Sequence, residues 1–237
     1  MAKLTRQDFT EHRKGEEMGM IGWNSKSYKK FDAERAQEYT RMANEAFAPV
    51  YPVIADRIIE RCAIEDGLCI DVGSGPANLA VAITKRTNLV TCAMDFSSHI
   101  FPMAMENIAA SGLIGRITPI VGDVHRMPFR EGMASLVVSR GSMRFWKNKP
   151  KAFREIKRVL RPGGKGYVGG GAGSTELYEE VGRRMSVICE EWNNKPKFRY
   201  RKNNVPYFEG VIMKAGFNRY EIIDDDSGFW IYLEKEG

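Results

Sequence analysis

The sequence is short of the residues that build metal centres and disulfide scaffolds. Its 237 residues include four cysteines and three histidines. Cys62, Cys69, Cys92 and Cys189 are scattered, without the paired spacing of a metal site or a disulfide framework. Cys69 and Cys92 fall in apolar runs, where cysteine serves as a small apolar residue. All four read as reduced thiols of a cytoplasmic protein, and no metal site is expected. No run approaches the ~20 apolar residues of a membrane span, so no membrane association is expected. The charged stretch from Met1 to Glu17 lacks the apolar core of a secretory signal. No Gly-Lys-Ser/Thr follows a glycine-rich turn, which excludes a P-loop.

The remaining composition is that of an ordinary globular chain. It is 43% hydrophobic and 28% charged, and long enough for one well-filled α/β domain with additions. The formal net charge of +6 is too mild to indicate nucleic-acid binding by itself. Lysine and arginine cluster at 140–165 and 195–202. Such clusters form either a solvated face or an attraction for an anionic substrate.

The densest signal is Leu68-Cys-Ile-Asp-Val-Gly-Ser-Gly-Pro-Ala77. An apolar run ends in Asp71 and turns at once through Gly73 and Gly75, as a buried parallel strand does when it delivers backbone to a ligand. A second apolar run, 88–94, closes on Asp95. A carboxylate about twenty residues beyond such glycines sits on ribose hydroxyls in nucleoside-binding folds. The dinucleotide pattern needs a third glycine, and here Gly73-Ser-Gly75 is followed by Pro76-Ala77-Asn78. The turn therefore suits an adenosine-containing ligand without a pyrophosphate.

Periodicity places a helical stretch at 32–62, interrupted by Pro49 and Pro52. Strands at 68–72, 89–94, 117–121, 135–139 and 165–168 then alternate with helices at 77–86, 97–111 and 149–160. Pro162-Gly163-Gly164 ends the last of these helices. A long helix at 174–192, a basic linker, a short helix at 207–215 and a hairpin of 220–223 with 229–233 complete the chain. The expected fold is a three-layer α/β/α sandwich: a Rossmann-like, mostly parallel seven-stranded sheet with an antiparallel C-terminal hairpin. Residues 1–55 are expected to form a helical lid or extension and 56–237 the main domain.

The chain resembles the class I S-adenosylmethionine-dependent methyltransferases. Asp71-Val-Gly-Ser-Gly75 is similar to their first motif, and Asp95-Phe-Ser-Ser to the acidic end of their second strand. Gly122-Asp-Val124 with Met127-Pro-Phe129 is similar to the adenine-side motif, and Arg158-Val-Leu-Arg-Pro-Gly-Gly164 to the turn before strand five. The match covers roughly residues 55 to 170. The resemblance implies S-adenosyl-L-methionine as cofactor, with S-adenosyl-L-homocysteine as product. It implies a cofactor site of Asp71, Gly73, Ser74, Gly75, Asp95, Phe96, Asp123, Val124, Ser139 and Arg140. Three departures stand out: Ala77 where many members carry a third glycine, Ala134-Ser135 at the usual Phe-Asp, and the glycine-rich exit Gly169 to Gly173. The last suggests backbone held close to a ligand, or a flexible rim.

Methyl transfer is an in-line displacement and draws mainly on positioning. No general base stands out, and the candidates for a catalytic role are Arg140, Tyr39 and His12. His99 and His125 read as surface or cofactor-edge residues. Arg140 suits an acidic substrate group through its fork of donors. Tyr28, Tyr39 and Tyr51 either close over a sulfonium through cation–π attraction or belong to the helix core. The leading expectation is an enzyme acting on a small, anionic acceptor. An RNA or protein methyltransferase is the alternative, for which only Phe198-Arg-Tyr-Arg-Lys202 speaks, and a non-catalytic cofactor binder is a third.

Overall fold

A computed structural model describes residues 31–189 and 205–237. His12, Tyr28 and the aromatic–basic run 198–202 lie outside the described residues. Two helices come first, α1 (Ala33–Glu45) and α2 (Val50–Cys62). The sheet strands are β1 (Leu68–Val72), β2 (Val90–Asp95), β3 (Ile117–Val121), β4 (Ala134–Arg140), β5 (Leu160–Gly170), β6 (Arg219–Asp225) and β7 (Gly228–Glu234). Between them run α3 (Asn78–Thr84), α4 (Phe101–Ala110), α5 (Lys149–Val159), α6 (Thr175–Ile188) and α7 (Val205–Lys214).

The seven strands form one sheet in the order β3-β2-β1-β4-β5-β7-β6. Strands β1 to β5 are parallel, and β7 runs antiparallel between β5 and β6. The central strands β1 and β4 are apolar and almost wholly buried, as strands covered on both faces must be. The edges are blunted. Pro119 sits in β3, where no second neighbour needs its missing N–H, and β6 carries Arg219, Glu221, Asp224 and Asp225. One face packs Phe153 and Ile156 of α5 and Phe208 and Ile212 of α7 on Ile70, Val137 and Ile231. The other packs Ile54 and Ile58 of α2 and Met185 of α6 on Cys69, Leu136, Tyr167 and Trp230.

Several details differ from expectation, each for a local reason. Asp32 caps α1 by accepting the Arg35 N–H. The expected interruption of the 32–62 stretch is present, between Glu45 and Val50, and Pro49 and Pro52 open the second helix, since the first turn of α2 needs no backbone N–H there. The boundary expected between residues 55 and 56 falls inside α2, whose Ile54, Ala55 and Ile58 all belong to the sheet's core. The helix expected at 97–111 begins as a short 3-10 turn at Ser98–Ile100. Strand β5 starts five residues early. Arg161 to Gly164 form a bulge in it, with Ala134 opposite Leu160 and Leu136 opposite Lys165. The long helix stops at Ile188 instead of 192.

The glycine-rich exit from β5 has a structural requirement of its own. A Cβ on Gly169 would stand 2.1 Å from the Phe229 carbonyl oxygen, and one on Gly171 would stand 2.0 Å from that of Ser227. Only glycine lets β5 lie this close to the start of β7. The run's carbonyls are used as acceptors: Gly171 takes Arg140 Nε at 3.1 Å and Gly173 takes Arg57 Nη2 at 3.2 Å.

Candidate functional site

The site lies beyond the C-terminal ends of β1, β2 and β4, where ligands enter open α/β sheets. The turn after β1 is built from three residues at positive φ: Gly73 (+68°), Gly75 (+55°) and Ala77 (+66°). Gly73 and Ser74 donate their N–H groups to the Met94 carbonyl at 2.8 and 3.1 Å, which fastens the turn to the tip of β2. A Cβ on Gly73 would stand 2.3 Å from that of Ser142, so the loop after β4 closes directly over the turn. A Cβ on Gly75 would stand 2.8 Å from the ring of Tyr39, so α1 lays an aromatic face on the same turn. Ala77, in the place of a third glycine, accepts the left-handed conformation and buries its methyl against α4.

Two carboxylates converge here. Asp95 accepts the Gly75 N–H at 2.9 Å through Oδ2 and the Ser97 N–H at 3.0 Å through Oδ1. Burial raises its pKa, and the N–H donors of Ser97, Gly75 and Phe96 offset part of that rise. Asp71 is 2% exposed, accepts the Ala80 N–H, and leaves Oδ2 buried with no partner among the described residues. Burial, with a smaller contribution from Asp95, pushes its carboxyl up to about 7. An orphaned carboxylate oxygen beside the glycine turn is poised for a cationic or hydrogen-bond-donating ligand.

The aromatic wall comes from α1 and α2. Tyr39 stands within electrostatic reach of Arg140, Asp95, Arg144 and Asp71, and Tyr51 within reach of Tyr39, Arg140 and Asp71. Burial holds both phenols above their ordinary pKa, which makes them donors and poor bases. The Arg140 guanidinium lies 5.0 Å from the Phe47 ring centre and 5.2 Å from that of Tyr51, a cation–π sandwich completed by Gly171. No carboxylate pairs with Arg140 among the described residues.

Other expected residues are engaged within the fold. The fully buried Ser139 hydroxyl meets Ser142 Oγ at 2.7 Å. Ser142 in turn donates to the Val72 carbonyl and accepts from Trp146 Nε1. This network clamps the β4 tip to β1. Asp123 accepts the backbone N–H of His125 at 2.9 Å and meets its Nδ1 at 2.6 Å, while His125 Nε2 accepts the Asn148 N–H. Burial alone would raise the Asp123 carboxyl, but these bonds outweigh it and hold the group low. His125 thus ties the loop after β3 to the start of α5. Val124 is buried beside Ile70 and Met94, and Phe96 stands 60% exposed next to Asp95.

Ser142 was expected at the mouth of the site, whereas Phe47 and Asn78 belong to the site and were not expected there. Asn78 bonds Asn44 of α1 and Asn107 of α4, and holds both helices to the glycine turn. The three-residue spacing of Ser139 and Ser142 was visible as a signal. The pairing of Phe47 with an arginine 93 positions away was not. Among the described residues, no three His, Cys, Asp or Glu side chains are placed to hold a metal, and no helix is long and apolar enough to cross a membrane.

Comparison with known proteins agrees with this geometry. Residues 70–168 match the family model of a methyltransferase domain. The chain superposes with a TM-score of 0.81 on a crystal structure from Methanococcus maripaludis, assigned as an S-adenosyl-L-methionine-dependent methyltransferase. The two are 41% identical over 88% of this chain and 95% of that one. It is 24% identical to the malonyl-[acyl-carrier protein] O-methyltransferase of Geobacter sulfurreducens, over 77% of this chain and 68% of that protein. It is 30% identical to the mitochondrial arginine-hydroxylase of Mus musculus, over 73% of this chain but only 48% of that protein.

Proposed function

The chain belongs to the class I S-adenosylmethionine-dependent methyltransferases, and we propose that the acceptor of its methyl group is a small molecule bearing an anionic group. When bound, the cofactor supplies an electrophilic methyl group on a sulfonium. The residues present fit it. The glycine turn presents backbone without side chains at Gly73 and Gly75, Asp95 faces that turn, and the orphaned Asp71 Oδ2 suits a positively charged neighbour. Gly73, Ser74 and Gly75 hold the cofactor with Asp71 and Asp95. Phe96, Asp123 and Val124 form the adenine side.

The observation that carries the acceptor class is Arg140. A half-buried guanidinium with aromatic rings around it and no carboxylate partner among the described residues leaves a charge to be neutralised. Its place at the tip of β4 puts it at the mouth of the site. The chain's own contribution is to orient the acceptor through Arg140 and to exclude water with Tyr39, Phe47 and Tyr51. Fixed orientation can account for roughly 7–11 kcal/mol of barrier reduction. His99 and His125 supply no base: the first starts an exposed turn, and the second is bonded at both nitrogens.

The test is transfer from methyl-labelled cofactor to a fractionated pool of small carboxylates and phosphates, followed by Arg140→Gln. Loss of a charged hydrogen bond of about 1.5–3 kcal/mol should raise KM for the acceptor some ten- to a hundredfold and leave S-adenosylhomocysteine affinity unchanged. An unchanged KM, or a fall in cofactor affinity instead, would reassign Arg140. Label appearing only in RNA or protein would overturn the acceptor class.

A further inference from the structure

A second cleft opens on the far side of α2, away from the glycine turn. It is open to solvent on one side and holds about 530 Å³ between the outer face of α2 and the face of the β5–β7–β6 sheet. Arg57, Glu60 and Arg61 form one wall, Glu221, Ile223, Asp225 and Tyr232 the other, and Tyr167 the floor. Tyr167 is fully buried, and its hydroxyl has no hydrogen-bond partner among the described residues. That hydroxyl lies within electrostatic reach of Arg57, Arg61 and Asp225, at the bottom of the cleft. Buried phenols ordinarily find a partner, so an orphan here is an unfilled contact.

The other polar groups show which contacts are already made. Arg61 is paired with Glu221 and bridges the cleft at one point. Arg57 spends one Nη on the Gly173 carbonyl. Asp225 accepts the Ser227 N–H and hydroxyl through Oδ1 alone, and Tyr232 bonds Glu234. What remains is a guanidinium and a phenol O–H on one side, the carboxylates of Glu60 and Asp225 on the other, and the apolar surfaces of Ile223 and the Tyr232 ring between. A simple anion would meet the two carboxylates, and a simple cation would leave Arg57 and the phenol unanswered. We propose that this cleft is a second ligand site, for a small zwitterion that places a carboxylate on Arg57 and Tyr167 and an ammonium group near Asp225 and Glu60.

The experiment is calorimetry on the full chain saturated with S-adenosylhomocysteine, so that the cofactor site cannot take the probe. The probes are L-leucine, L-glutamate and L-lysine in turn, with acetate and propylamine as single-charge controls. At least one amino acid should bind with one-to-one stoichiometry and neither control should. Tyr167→Phe should weaken that binding at least tenfold without lowering the melting temperature, because it deletes an unpaired hydroxyl. Asp225→Asn, which keeps the acceptor for Ser227, should weaken it as well, and both variants should bind S-adenosylhomocysteine as before. Absence of amino-acid binding, equal binding of a control, or unchanged binding by Tyr167→Phe would overturn the proposal. The proposal does not rest on the acceptor assignment, and failure to bind S-adenosylhomocysteine would count against the cofactor site alone.

Discussion

Asp95→Ala should lower the affinity for S-adenosylhomocysteine by a hundredfold or more. The carboxylate stands at the tip of β2, bonded to Gly75 on one side and Ser97 on the other. A carboxylate has room for about four hydrogen bonds, so lone pairs remain for ribose hydroxyls. Hydrogen bonds to a charged group contribute about 1.5–3 kcal/mol each, and two of them would account for roughly 3–6 kcal/mol of binding. The variant also frees the Gly75 N–H and loosens the turn that the cofactor must meet. Calorimetry and circular dichroism on the same sample separate the two effects. A folded variant with unchanged affinity would remove Asp95 from the cofactor site.

The second large effect is a pH dependence carried by Asp71. Its folded-state pKa of about 7 lies above the ordinary 3.8. The native state therefore holds the proton through that window while the unfolded chain has lost it. The ligand-free protein should lose stability as pH rises from about 4 to about 7, and no more beyond. Three units of difference correspond to about 4 kcal/mol as an upper figure. Asp95, raised by burial in the same sense, adds to the slope. Asp71→Asn keeps an acceptor for the Ala80 N–H and removes the ionisation. Its urea midpoint should match the parent's at pH ~3, below the unfolded-state value, and exceed it at pH ~8. A cationic ligand beside Asp71 favours the carboxylate, so stabilisation by S-adenosylmethionine should grow over the same range. Parallel pH profiles of parent and variant would contradict the assignment.

The framework of the fold was legible because its signals are local. The run before Gly73 and the run before Asp95 read as strands, and the hairpin around 224–228 showed as two apolar segments flanking a turn. Both acids and both glycines of the turn were identifiable from their spacing alone. What was hidden depends on distant partners. The resemblance implied a cofactor contact at Ser139 but not the bond of its hydroxyl to Ser142, which follows from the close approach of that loop to Gly73. The glycines at the end of β5 resembled a ligand cradle, and the neighbours that leave no room for side chains on Gly169 and Gly171 are Phe229 and Ser227, distant in the sequence. Pro49 and Pro52 marked the break between α1 and α2 in the sequence, while the packing of α2 on the sheet depends on distant residues.

The proposed reaction requires the bend between β1 and α3, with the acids at the tips of β1 and β2, to receive the cofactor. A crystal structure grown with S-adenosylhomocysteine measures this most directly. Ribose hydroxyls should lie within hydrogen-bond distance of Asp95, and the amino-acid end of the ligand beside Gly73 and Asp71. Density for the ligand anywhere else on the chain, with Asp95 still bonded only to its own backbone neighbours, would contradict it.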